Sequence, residues 1–313
     1  MKYILLIATA FNFVYIESKF VKSIKDYYVN FDISMGKDDQ FFRKYYQMYF
    51  SLLHYTNENL GNDPFAADIK CWSAKYYNLY KKNNIASNLP ANNPKIPLIV
   101  HQIWLGSPLP KKFNKWVKTW QFMGRQWKYK LWTDHNVKKL KLVNQVLFDL
   151  EKNYGAKSDI LRIEILYQFG GVYADIDFQC LNPSMFEVLN HYYDFYIGLH
   201  PLDLLKYYQF GVVNALIASV PGHPVLKGYI DELPNQYDPK NFHGVPFRTG
   251  PHFFNKMFFK YTNKMFKDIV FPPSFFYPLG YDQIKELSPE EKNKKQFVKP
   301  ESIAIHWWGS SWY

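Results

Sequence analysis

The sequence predicts an α/β domain behind a helical extension. Beyond Ile96, strand-like runs alternate with helix-like runs, the order that builds a sheet covered on both faces. From about residue 18 to 85 no convincing strand occurs, and aromatic residues recur at helical spacing. Between the two lies "ASNLPANNPKIP", residues 86–97, whose prolines and asparagines are loop composition. The expected organisation is therefore a helical accessory region over 18–90 and an α/β domain over 96–313, behind an apolar start at 1–17.

The opening "MKYILLIATAFNFVYIE" has one lysine before an apolar run from Tyr3 to Ile16, interrupted by Thr9 and Asn12. It is shorter than the roughly 20 residues of a membrane span. It suits a signal segment, a membrane anchor or a buried helix. The first two would make the protein exported or membrane-associated; the third would leave it cytoplasmic. "DDQFFRKYYQMYFSLLHYTNENL" and "AADIKCWSAKYYNLYKKNN" supply the accessory helices.

In the α/β part, "LIVHQIW" is a strand bounded by Pro97 and Gly106. "LPKKFNKWVKTWQFM" is helical, with Pro110 near its start. "WKYKLWT" alternates as a strand. "NVKKLKLVNQVLFDLEKN" is helical, and a second helix is expected from Ser158, a good N-cap, to Phe169, stopped by Gly170-Gly171. "VYADIDF", "DFYIGLH", "VVNALIAS" and "SIAIHWW" are strands. "HPVLKGYIDEL" and "GPHFFNKMFFKYTN" are helices.

Thirty-eight Lys and Arg against 27 Asp and Glu give a formal charge of +11, which favours anionic partners. The lysines are scattered. Even Lys138, Lys139 and Lys141, or Lys292, Lys294 and Lys295, resemble solvated faces, so a nucleic-acid groove is not expected. Cys71 and Cys180 have neither zinc spacing nor a disulfide pattern.

The chemistry concentrates in "SDILRIEILYQFGGVYADIDFQC", residues 158–180. Asp159 and Arg162 are three apart and share a helix face, which alone would be a capping ion pair. If "VYADIDF" is one strand, Tyr173, Asp175 and Asp177 point to one side, while Val172, Ala174, Ile176 and Phe178 point to the other. Two acids on one face at a strand end make a hard-oxygen site for Mn²⁺ or Mg²⁺, an ion that can hold a diphosphate.

In combination, Ser158, Asp159, Arg162, Leu166, Gly170, Gly171, Tyr173, Asp175 and Asp177 resemble the signature of glycosyltransferase family 32, the transferases with a D-x-D sugar-binding region. That family includes fungal outer-chain mannosyltransferases and bacterial capsule sugar transferases. The same pattern is similar to the catalytic domain of the large glucosylating toxins. "IPLIVHQIWLG" resembles the family's opening strand and "HWWGSSW" its closing element; "PGHP" and "RTGP" also fit.

The resemblance implies a GT-A nucleotide-sugar-binding fold and a metal-dependent, retaining hexosyltransferase. Its donor would be a UDP- or GDP-sugar and its acceptor a glycan, lipid or protein. It implies Asp177 as a direct metal ligand, with Asp175 acting through water or on the ribose. His306 would be a third ligand. Asp159 and Arg162 would hold the sugar, Tyr173 would line the donor pocket, Trp104 would stack on the base, and Asn214 would touch the donor. Ser311 and Trp312 would close over the diphosphate. Two other readings of the residues compete: a haloacid-dehalogenase-type phosphohydrolase, whose first Asp is a nucleophile, and a non-catalytic sugar-binding protein.

Overall fold

The computed structural model describes residues 29–54, 64–85, 90–238 and 244–309. Its strands are β1 (Ile99–Ile103), β2 (Lys128–Trp132), β3 (Gly171–Ala174), β4 (Phe178–Cys180), β5 (Phe195–Leu199), β6 (Val212–Ser219), β7 (Asp268–Phe271) and β8 (Ala304–His306). Six of them form the central sheet, in the order β2-β1-β3-β6-β5-β7. β1 runs parallel to β2 and β3, and β5 parallel to β7, while β6 is antiparallel to both neighbours. β6, "VVNALIAS", is buried along its whole length, as a central strand covered on both faces requires. The predicted α/β class is what the chain adopts.

The extension contributes α1 (Phe31–Ser34), α2 (Arg43–His54) and α3 (Pro64–Lys82). These helices share one apolar core with the sheet: Trp72, Tyr76 and Tyr80 join Phe258 and Phe271. Polar ties add direction, since Tyr76 donates to Asn255 (2.5 Å) and the Asn83 amide to the Asp268 carbonyl (2.7 Å). Residues 1–28, and with them the expected signal or anchor segment, lie outside the described residues. Among the described residues no helix is long and apolar enough to cross a membrane.

The other helices are α4 (Asn114–Gln121), α5 (Asp134–Val137), α6 (Gln145–Leu150), α7 (Tyr154–Phe169), α8 (Pro183–Tyr192), α9 (Pro224–Gln236), α10 (Val245–Arg248), α11 (Pro251–Tyr261), α12 (Gln283–Glu286) and α13 (Pro289–Lys294). Four local expectations change. α7 begins at Tyr154, because the Asn153 side chain caps it by accepting from the Ala156 N–H (3.1 Å). Ser158 and Asp159 therefore sit in its buried interior and not in a first turn. The single helix expected over 136–153 is two short ones, α5 and α6, with residues 138–144 between them. The β7 strand, "DIVF", carried no alternation to reveal it, because all four residues are buried.

The fourth change concerns "VYADIDF", which is not one strand. β3 stops at Ala174; the Asp175 carbonyl then accepts from the Phe178 N–H (3.0 Å), turning the chain into β4. Ile176 leaves the main sheet for a small cluster with Trp104, Phe113 and Val117. The two aspartates thus sit on a turn between sheets. β4 pairs antiparallel with β8, setting Phe178 opposite His306.

Candidate active site

A cavity of about 380 Å³ opens beyond the carboxyl end of β3. That is within the usual range of small-ligand sites, and the sheet position is where open α/β sheets bind ligands. Asp159, Arg162, Asp175, Asp177, Asn214 and His306 all line it.

α7 supplies the first half. Arg162 is buried, and its guanidinium is held by the protein on several sides. Nε donates to the Ser158 carbonyl (3.1 Å) and Nη1 to the Asn214 carbonyl (2.8 Å). It pairs with Asp159 and with Asp175, each at 3.2 Å, and lies 4.7 Å from the centre of the Tyr173 ring. Asp159 also accepts from Asn214 Nδ2 (2.9 Å) and Thr249 Oγ1 (3.0 Å). Asp175 accepts from the Tyr173 hydroxyl (2.5 Å). Burial pushes the Asp159 carboxyl up to about 6 against the pull of Arg162, Thr249 and Asn214. Burial likewise raises Asp175, with Arg162 opposing and Asp177 reinforcing.

The turn after α7 explains the paired glycines. Gly170 and Gly171 both have positive φ, 62° and 102°. A Cβ on Gly171 would stand 2.5 Å from the Ile99 carbonyl oxygen. Only glycine lets the helix pass so directly into β3 and bring Arg162 against Asp175.

β8 supplies the second half. His306 Nε2 and Asp177 Oδ1 are 3.1 Å apart, and the Gly309 N–H donates to Asp177 Oδ2 (2.6 Å). The His306 ring stacks on Phe178 at 4.7 Å. Burial works against charge on Asp177, but His306 and the Gly309 N–H outweigh it and hold the carboxyl below its ordinary range. Asp175, Asp177 and His306 can each offer a ligand atom, all within 4.8 Å of one another. Two carboxylates and an imidazole suit Mn²⁺ or Mg²⁺. Among the described residues, His306 Nδ1 is buried without a hydrogen-bond partner.

Other expected residues fall differently. Tyr173 acts on Asp175 through its hydroxyl and is 1% exposed. Trp104 packs against Phe113 at 5.3 Å and donates its indole N–H to Ser107, while its neighbour Ile103 lines the cavity. Ser311 and Trp312 lie outside the described residues. Sequence reasoning missed His200, Gln209, Tyr281 and Trp308, which also line the cavity. His200 follows the carboxyl end of β5, and that position was the signal available. Thr249, within the quoted "RTGP", gained its role only through its bond to Asp159.

Fold and site define a class: an α/β protein presenting a D-x-D pair at a strand end inside a ligand-sized cavity. Residues 110–196 match the family described as "Glycosyltransferase sugar-binding region containing DXD motif". The resemblance drawn from the sequence is borne out over this stretch. The particular relatives include two from yeasts. Inositol phosphoceramide mannosyltransferase 1 of Schizosaccharomyces pombe is 26% identical over 240 residues, 72% of this chain and 65% of the relative. A mannosyl phosphorylinositol ceramide synthase of Saccharomyces cerevisiae is 27% identical over 192 residues, 58% of this chain and 46% of the relative. The chain spans less than two thirds of the length of either. Among solved structures, PaToxG Glycosyltransferase aligns with TM-score 0.43 and 16% identity, over 63% of this chain and 78% of that one.

Proposed function

We propose that this protein is a metal-dependent, retaining glycosyltransferase that moves a hexose from a nucleoside diphosphate sugar to a hydroxyl of an inositol phospholipid. One observation carries the reading: a cavity of about 380 Å³ holds Asp175, Asp177 and His306 with ligand atoms within 4.8 Å of each other, beside the buried Asp159–Arg162 pair. The lipid acceptor is suggested by the names of the yeast relatives. Retention of anomeric configuration and the UDP- or GDP-sugar donor rest on the family resemblance.

In this reading Asp175, Asp177 and His306 hold the cation. A divalent ion there supplies positive charge against the departing diphosphate. Asp159 and Asn214 face the cavity with acceptor and donor groups suited to sugar hydroxyls. Arg162 works from behind as a positioning residue, fixing Asp159 and Asp175 in one arrangement. Tyr173 fixes Asp175 from its other side. A preformed arrangement of this kind needs no reorganisation as charge develops. The phosphohydrolase alternative is disfavoured by the match of residues 110–196 to a glycosyltransferase sugar-binding region.

The test is a screen of UDP- and GDP-hexoses with Mn²⁺, following nucleotide release with and without an inositol phospholipid in detergent. Release that the lipid stimulates, with a glycosylated lipid as product, is the expected result. No release from any donor sinks the proposal, and it would leave the sugar-binding alternative standing. The anomeric configuration of the product, read by NMR, checks retention.

A further inference from the structure

The outer side of α6 and the turn before it depart from what a surface helix normally carries. Val146 and Leu150, four apart on α6, are 70% and 63% exposed, and Val143 in the preceding turn is 68% exposed. An aliphatic stripe faces solvent where charge is expected. Tyr154, itself exposed, follows Asn153 and precedes Gly155, both of which line the cavity. The stripe therefore ends at the cavity rim. Exposed Lys138, Lys139, Lys141 and Lys152 flank it in the sequence, and within residues 138–154 the exposed acid is Asp149.

The stripe is also fixed in place. Glu151, directly after α6, accepts from the Arg248 guanidinium (2.9 Å) and from the Tyr237 hydroxyl (3.1 Å). Its other oxygen accepts the N–H groups of Lys152 and Asn153. A buried ion pair thus ties the end of α6 to α10, and Val245 and Pro246 of α10 line the cavity too.

We propose that this surface docks on an anionic phospholipid membrane and sets the cavity mouth against the headgroups. The proposal rests on the lipid-acceptor reading above and says how such an acceptor is reached. Aliphatic side chains enter the headgroup–acyl boundary while lysines meet lipid phosphates, the pairing that interfacial helices use. The chain's formal charge of +11 has the matching sign. So short a stripe gives weak, salt-sensitive attachment, which lets the enzyme leave after turnover.

The test is co-sedimentation of the full chain with vesicles of phosphatidylcholine alone and of phosphatidylcholine with phosphatidylinositol. Wild type should sediment with the phosphatidylinositol-containing vesicles, less so at high salt. The double variant Val146→Asp/Leu150→Asp should bind on the order of tenfold more weakly. Changing Lys138, Lys139, Lys141 and Lys152 together to Gln should abolish the preference for the anionic vesicle. Because residues 1–17 are apolar, the difference between variant and wild type is what carries the test. Unchanged binding in the double variant overturns docking here, as does a wild type that ignores both vesicles. A wild-type dimer that the same variant makes monomeric would show that a second copy covers the stripe, and also overturns it.

Nucleotide release from a soluble donor sugar should be equal in the double variant and wild type, since neither side chain lines the cavity. Failure of donor turnover with vesicle binding intact would sink the transferase reading and leave docking standing.

Discussion

The two halves of the cavity secure their carboxylates differently. On the α7 side, Asp159 and Asp175 meet through one buried guanidinium, and Tyr173, Asn214 and Thr249 complete the network. On the β8 side, Asp177 meets one imidazole and one backbone N–H, from residues 129 and 132 positions further along the chain. The first half is built largely by one helix and the strand it feeds. The second exists only while β8 is docked on β4. A densely bonded half beside a half assembled from distant strands suits the proposed division, in which one side would hold the donor and the other would complete the cation site.

The sharpest way to break this contrast is to damage each half once. Asp177→Asn removes charge from the assembled half but keeps an oxygen for the Gly309 N–H. Donor turnover should fall by on the order of a thousandfold, with chelator abolishing and Mn²⁺ restoring activity only in wild type. Thermal stability should fall less than in Arg162→Lys, since only the His306 pairing is weakened. Arg162→Lys does the opposite. An ammonium cannot span Asp159, Asp175 and two carbonyls, so buried charges are left unmatched, at a cost of about 3 kcal/mol or more in urea unfolding. Were Asp177→Asn to unfold the protein while Arg162→Lys left its stability intact, the assignment of rigid and assembled halves would be reversed.

The same contrast explains what the sequence could reveal. Asp159, Arg162, Tyr173, Asp175 and Asp177 lie within one continuous stretch, so helix and strand periodicities place them near each other. Even there, periodicity alone put Asp175 and Asp177 on one strand, because it cannot see the turn that carries Ile176 into the Trp104 cluster. His306 was reachable only through resemblance, since nothing local predicts that "SIAIHWW" pairs with "FQC". His200 and Trp308 required the three-dimensional cavity. Asn153 as the cap of α7 was missed for a plainer reason: Ser158 is an equally good capping residue, and capping preference does not choose between two candidates.

His101 offers a way to loosen the α7 half alone. Its Nε2 lies 2.9 Å from the carbonyl of Gly170, where α7 ends, and its Nδ1 accepts from the Trp132 indole (3.1 Å). Burial lowers its pKa to about 4, with Gly170 opposing and Lys130 reinforcing. The unfolded chain, with an ordinary pKa of about 6.5, therefore binds the proton more readily than the folded one. Stability is fully present above about pH 6.5 and is lost as pH falls towards about 4, by roughly 3 kcal/mol in all. His101→Gln should start less stable at neutral pH but show a flatter decline in urea midpoint through that window. An equally steep decline would place the acid sensitivity in another group and uncouple His101 from the α7 turn.

The smallest expected effect sharpens the β8 half. His306→Ala removes the proposed nitrogen ligand and the partner that helps keep Asp177 ionised, while Asp175 keeps its ties to Arg162 and Tyr173. The cation should bind roughly tenfold more weakly, within the range seen when a metal site loses a supporting group. Excess Mn²⁺ should then restore most turnover, because the α7 half, proposed to hold the donor, is untouched. Calorimetric titration of the protein with Mn²⁺ checks the affinity without any donor sugar. His306 also packs between Phe178 and Trp308, at 4.7 and 4.2 Å, so truncation costs some stability by itself. His306→Phe fills that space without a ligand atom and should share the weakened cation binding while melting nearer to wild type. If His306→Phe binds Mn²⁺ as tightly as wild type, the imidazole serves only packing, and the cation is held by the two carboxylates.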